Sequence, residues 1–144
     1  MSYPHFSADC HEHHGLVRDF GGERPRIVCL CGSTRFYDAF RAANLRLTLA
    51  GEIVLSIGCD TKSDGDLEAA WEIAPLTEIK PALDDLHKRK IDLADYVLVL
   101  NVGGYMGEST QSEVKYAISI GRTVEFLEPA SIYDFDAESV ASGA

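Results

Sequence analysis

Positive charge, long apolar runs and tryptophan are all scarce in this chain. Its 144 residues hold 13 lysines and arginines against 23 aspartates and glutamates, a formal net charge of −10, so binding to a long polyanion such as nucleic acid is not expected. Apolar stretches such as Tyr96 to Leu100 fall far short of the roughly 18 to 20 residues of a membrane span, and no membrane partner is expected. Met1 to Gly15 lacks the basic-then-apolar pattern of an export signal, which points to a cytoplasmic location. In that setting Cys10, Cys29, Cys31 and Cys59 read as reduced thiols rather than a disulfide frame. Cys29 and Cys31 stand two apart in an apparent strand, on one face. That is not the spacing of a zinc or redox motif, so they read as small buried hydrophobes.

What is present is one domain's worth of alternating pattern. Residues 1–24 have little periodicity and run through Gly21-Gly22, so they are expected to form a flexible arm. Residues 129–144 start at Pro129, hold no basic residue, and are expected to be an acidic tail, leaving 25–128 as the folding unit. Arg26 to Cys31 is a short apolar run ending at Gly32, and Phe36, Phe40, Ala43, Leu47 and Ala50 follow at spacings of three and four, which predicts a strand and then a helix. Glu52 to Ile57 predicts a second strand. Residues 58–76 have no clear period. A helix is predicted from Thr77, with Ile79, Leu83, Leu86, Ile91 and Ala94 on one face and Pro81 in its first turn. Tyr96 to Asn101 predicts a third strand, Thr110 to Ile120 a helix, and Thr123 to Leu127 a fourth strand.

Strict alternation of helices with continuously apolar strands predicts an α/β fold, a parallel sheet covered on both faces in a Rossmann-like or flavodoxin-like three-layer sandwich. Right-handed crossovers make 2-1-3-4 the expected order of its four strands. Ligands in such sheets bind beyond the strand carboxyl ends at the switch point, here between strands one and three. The loops arriving there are Gly32 to Arg35 and Gly103 to Thr110. They lie in contrasting surroundings, since residues 25–51 hold Arg26, Arg35, Arg41 and Arg46 against Asp38 alone, a basic segment within an acidic chain.

In the first loop, Gly32 allows a tight turn, Ser33 can cap a helix, and free N–H groups with Arg35 can hold a phosphate; a plain N-cap with a solvent-facing Arg35 is the competing reading. In the second, Ser109 and Thr110 open a helix and Glu113 follows three residues beyond Thr110. That spacing suits a capping box, and it equally suits a carboxylate poised in the crevice to attack or steady an electron-poor carbon. Neither loop has the glycine spacing of a dinucleotide fold or a P-loop, so no cofactor is expected.

Cys31-Gly32-Ser33-Thr34-Arg35, Ala94-Asp95 before the third strand, and the glycine- and serine-bearing loop leading to Glu113 resemble the nucleoside 2-deoxyribosyltransferase superfamily over about residues 26–128. The nucleoside 5′-monophosphate N-glycosidase branch is the most similar. The spacing around Thr110 and Glu113 also resembles the phosphoribohydrolases related in sequence to lysine decarboxylases. The resemblance implies cleavage of an N-glycosidic bond at the anomeric carbon of a nucleotide or nucleoside. Glu113 would be nucleophile or oxocarbenium stabiliser, and Gly32, Ser33, Arg35, Gly107, Ser109 and Thr110 would hold the 5′-phosphate. It also implies a homodimer or higher homo-oligomer. Eight positions ahead of Asp95, where the family places an acidic residue, this chain has His87, with Asp84 one turn earlier; the two are candidates to share the proton-handling duty. His87 also lies between Leu83 and Ile91 at helical spacing, which suits a hydrogen-bonded, partly buried histidine. Trp71 and Tyr105 are candidates to stack on a base or to pack in a core. Asp92 and Asp95 suit a helix end and a strand start. Cys10-His11-Glu12-His13-His14 offers metal-compatible side chains without a second ligand cluster, so no metal is expected.

Overall fold

Ile27–Cys31 (β1) is an apolar pentapeptide of which all but the first residue is buried, so it can only be an inner strand covered on both faces. The structure is a computed structural model and describes residues 23–57 and 76–135. Around β1 are assembled helix α1 (Tyr37–Leu49), strand β2 (Ile53–Leu55), helix α2 (Leu76–Leu93), strand β3 (Tyr96–Val99), helix α3 (Glu108–Ser119) and strand β4 (Thr123–Phe126). The strands form a four-stranded parallel sheet in the order β2-β1-β3-β4, the expected 2-1-3-4 arrangement of an α/β Rossmann-like or flavodoxin-like fold.

Alternation along the strands divides the core into two layers. Val28, Leu30, Tyr96 and Leu98 face Phe40, Ala43 and Leu47 of α1. Cys29, Cys31, Val97 and Val99 face Ile91 of α2, Ala94, and Val114 and Ala117 of α3. Each fully buried aliphatic side chain is worth roughly 1.5–3 kcal/mol, whereas the exposed pairs of Arg89 with Asp85 and Asp92 are screened by water and add little, so the two layers dominate stability.

Polar contacts set the register. Asp95, at the entry to β3, accepts a hydrogen bond from the Ile27 N–H at 2.8 Å and two from the Arg24 guanidinium at 2.7 Å, which hold its carboxyl well below the usual carboxylate range. Arg24 is thus fixed to the sheet although it falls inside the expected arm. The packed unit also reaches past the expected boundary at 128. Asn101 and Glu128 exchange two hydrogen bonds, at 3.1 and 2.9 Å, and a 3-10 turn at Ile132–Phe135 buries Phe135 in the core, stacked on Phe126 at 6.5 Å. Because α2 begins at Leu76, Pro81 lies in its second turn rather than its first, where it forfeits the bond to the Thr77 carbonyl. No helix among the described residues is long and apolar enough to cross a membrane.

Phe135→Ala is expected to lower the free energy of unfolding by about 3 kcal/mol, read by chemical denaturation. A loss below about 1 kcal/mol would detach this segment from the core.

Candidate functional site

Two loops and one helix face meet beyond the carboxyl ends of β1 and β3. Gly32 follows β1 at close quarters: a Cβ there would stand 3.2 Å from the Leu100 carbonyl oxygen and 3.3 Å from Leu100 Cβ, so only glycine lets the turn sit this tightly on the end of β3. Ser33 Oγ then accepts from the Arg35 N–H at 3.3 Å, which realises the capping reading for Ser33 on a short 3-10 turn. The second loop turns through Gly103 and Gly104, at φ of +64° and +81°, a left-handed pair suited to glycine. It delivers Gly107 as the N-cap of α3. No side chain caps this helix.

The start of α3 decides the role of Glu113. A capping box needs the carboxylate at the third helical position, with Thr110 as the cap. With Gly107 as cap, Glu113 is the sixth helical residue and is buried at 8% exposure, its Oε1 3.9 Å from His87 Nε2. His87 is 6% exposed and lies on the same α2 face as Leu83 and Ile91, as its spacing predicts. Its Nε2 is also 3.5 Å from Cys29 Sγ and 3.4 Å from Cys31 Sγ. The two cysteines are fully buried as expected, but reading them as plain hydrophobes is corrected: their sulfurs face an imidazole rather than only carbon.

His87 and Glu113 line a cleft of about 360 Å³, within the range of roughly 300–1,000 Å³ of small-molecule sites. Gly32, Ser33, Asp84, His87, Gly107, Ser109, Thr110 and Glu113 all line it. Arg35 and Tyr105 do not. The Arg35 guanidinium lies over the Tyr105 ring at 4.1 Å and Phe36 meets the same ring edge-on at 5.9 Å, so these residues tie the two loops together. Trp71 and the Cys10 to His14 segment lie outside the described residues. The cleft adds Lys80 and Glu108, which sequence reasoning misses, and Lys90, whose place on the α2 face beside Ile91 the spacing predicts. Lys80, Asp84, His87 and Lys90 recur at spacings of three and four on α2, a signal present in the sequence.

Burial sets the proton affinities. It pushes the Glu113 carboxyl up to about 7, helped by negative charge at Cys29 and Asp84 and opposed by His87. Burial works against a charged His87, yet a hydrogen bond to Cys29 and the Glu113 charge outweigh it and raise its pKa. Cys29 is drawn down to about 6 by a hydrogen bond from Cys31, against burial and with help from His87, while Cys31 is raised by sharing its proton with Cys29 and by burial. The arrangement can therefore present a carboxylate and hold an imidazolium beside it near neutral pH. The sulfur atoms of Cys29 and Cys31 and a ring nitrogen of His87 also lie within 4.8 Å of one another, a donor set compatible with a metal ion. No protein-family model, curated protein or solved structure matches this chain.

A carboxyl whose folded pKa stands above its unfolded value stabilises the fold below the unfolded value and loses that contribution as pH rises through about 7. Glu113→Gln, which cannot ionise, is therefore expected to be more stable than the parent by on the order of 3 kcal/mol at pH 8, a rise in Tm of several degrees, and nearly equal to it at pH 4. Calorimetry at the two pH values checks this. An equal shift at both would show that the carboxyl is not held protonated.

Proposed function

We propose that this protein cleaves the N-glycosidic bond of a (deoxy)nucleoside 5′-monophosphate and releases the free base. The observation that carries the reading is the 3.9 Å approach of His87 Nε2 to Glu113 Oε1, both lining a cleft that also takes in the uncapped start of α3. A buried carboxylate and an imidazolium side by side are the two groups such a reaction requires. The Glu113 carboxylate attacks, or steadies as it forms, the electron-poor anomeric carbon. The bond from that carbon to the base nitrogen breaks with its electron pair going to the base, and His87 supplies the proton the departing base needs. Water then adds to the anomeric carbon and returns a proton to His87, yielding sugar 5-phosphate and restoring the carboxylate.

The phosphate is assigned to the start of α3. Gly107, Ser109 and Thr110 line the cleft at a helix N-terminus without a side-chain cap, where backbone N–H groups and the helix dipole favour an anion. Gly32 and Ser33 face them, and Lys80 and Lys90 add positive charge from α2. Arg35, stacked on Tyr105, serves in this reading to fix the two loops together. The resemblance of Cys31 to Arg35 and of the loop before Glu113 to the nucleoside 2-deoxyribosyltransferase superfamily supports the same assignment. A second reading, a nucleotide sensor without turnover, is favoured by one observation: His87 stands where the resembled family has an acidic residue.

The test is chromatographic detection of base release from a panel of ribo- and deoxyribonucleoside 5′-monophosphates. Release is expected to fall by at least about a thousandfold in Glu113→Gln while the nucleotide still raises the melting temperature. Undiminished release by the variant would overturn the role given to Glu113. Absence of release with intact thermal stabilisation would establish the sensor, and release only on adding a second base would establish a transferase.

A further inference from the structure

We propose that Cys29, Cys31 and His87 form a binding site for a single thiophilic divalent cation of the Zn²⁺ class, set into the wall of the cleft with Glu113 or a water in the fourth position. The inference does not rest on the glycosidase reading. It starts from three distances and the chemistry of the donors. In a tetrahedral site with Zn–S near 2.3 Å and Zn–N near 2.0–2.1 Å, sulfur and nitrogen ligands stand about 3.5 Å apart. His87 Nε2 lies 3.5 Å from Cys29 Sγ and 3.4 Å from Cys31 Sγ, so both edges of such a tetrahedron already have their final length. Glu113 Oε1, at 3.9 Å from the same nitrogen, is within about 0.5 Å of the corresponding nitrogen–oxygen edge.

Hydrogen bonding accounts for part of the arrangement, since Cys31 and His87 each bond Cys29. Nε2 of an imidazole offers one lone pair or one N–H, never both, so it cannot form a full hydrogen bond with each of two sulfurs. A cation bonds all three atoms at once. The strand period puts both sulfurs on one face of β1, and the α2 face carrying Leu83, His87 and Ile91 lies against it. The donors sit at 0%, 0% and 6% exposure, and the cleft lined by His87 and Glu113 is the route inward. Two thiolates and a carboxylate around a divalent ion leave one negative charge, which Lys90, one turn beyond His87 and also lining the cleft, offsets. Two sulfurs and a nitrogen select Zn²⁺ or Co²⁺ over Mg²⁺ or Ca²⁺. An ion held there occupies the His87 nitrogen and draws on Glu113, so it opposes any chemistry those two groups perform in the cleft.

Co²⁺ is the probe, titrated into the full, reduced chain. Expected are the intense visible bands of a tetrahedral site and a thiolate-to-cobalt charge-transfer band in the near ultraviolet, saturating at one ion per chain. Zn²⁺ should displace them stoichiometrically and Mg²⁺ should not. The spectrum should survive replacement of the other metal-compatible cluster (Cys10→Ala, His11→Ala, His13→Ala, His14→Ala) and vanish in Cys29→Ser/Cys31→Ser. In His87→Gln, which keeps both thiols and serves if the double variant does not fold, Zn²⁺ affinity measured against a chelating dye should fall at least tenfold. Absence of the charge-transfer band, its survival in Cys29→Ser/Cys31→Ser, its loss with the Cys10 to His14 cluster, or unchanged affinity in His87→Gln would each overturn the site. None of these readouts depends on turnover of a nucleotide.

Discussion

Pairing of β1 with β3 is the constraint on which the rest of this molecule depends. The two strands are adjacent and parallel, with Val28 opposite Tyr96 and Cys31 opposite Val99, although the chain visits β2 and α2 between them. Parallel neighbours require a crossover, and crossovers of fixed hand on either side of β1 leave a crevice where the chain reverses direction across the sheet. The Asp95 carboxylate, gripping Ile27 and Arg24, sets the start of that pairing, and the Leu100 N–H donating to the Cys31 carbonyl at 2.8 Å sets its end. Gly32 can then turn against Leu100, and everything in the cleft is placed relative to that turn.

The same pairing creates a conflict on one face of the sheet. Val97, Val99, Ile91, Val114 and Ala117 make an apolar layer that Cys29 and Cys31 join, and into its edge come an imidazole and a carboxyl. Leaving a buried polar group incompletely paired costs roughly 1–3 kcal/mol, comparable with what one aliphatic side chain contributes by its burial. At 3.9 Å the His87–Glu113 contact is an ion pair rather than a good hydrogen bond, so it offsets only part of that penalty. Hydrophobic residues of similar volume at both positions would satisfy the fold better. A polar cluster that works against its own core, opening on a cleft lined by an uncapped helix end, is where ligand chemistry belongs.

The architecture was legible because its signal is local and repeated: apolar runs at Ile27 to Cys31 and Tyr96 to Val99, and three-four periodicity on α1 and α2, are each readable within a dozen residues. Convergence of the Gly32 and Gly107 loops followed from that order. Two things were not legible. Where α3 begins turns on a loop whose left-handed Gly103 and Gly104 leave Gly107, not Thr110, as the cap, and that difference changes Glu113 from a capping group to a cleft group. The meeting of Cys29 and Cys31 with His87 joins residues 58 and 56 positions apart, and their two-residue spacing matches no short metal motif. The place of Arg35 was hidden in the same way: its charge suggested an anion, and the Tyr105 ring over which it lies belongs to the other loop.

His87 stands where these lines cross, and its single Nε2 sets the limit on what the cleft can do. That atom cannot at one moment hold a proton for a departing group and a lone pair for a cation. Protonated, it keeps the Glu113 charge company and leaves the two sulfurs to share their own proton; deprotonated, it is free to join the sulfurs around an ion. Conditions that load a cation are therefore those that strip protons from the same three residues, and the acid–base chemistry and the metal chemistry exclude each other at one atom. What the two sulfurs add beside the cleft, beyond their share in the apolar layer, is this second, opposing use of its histidine.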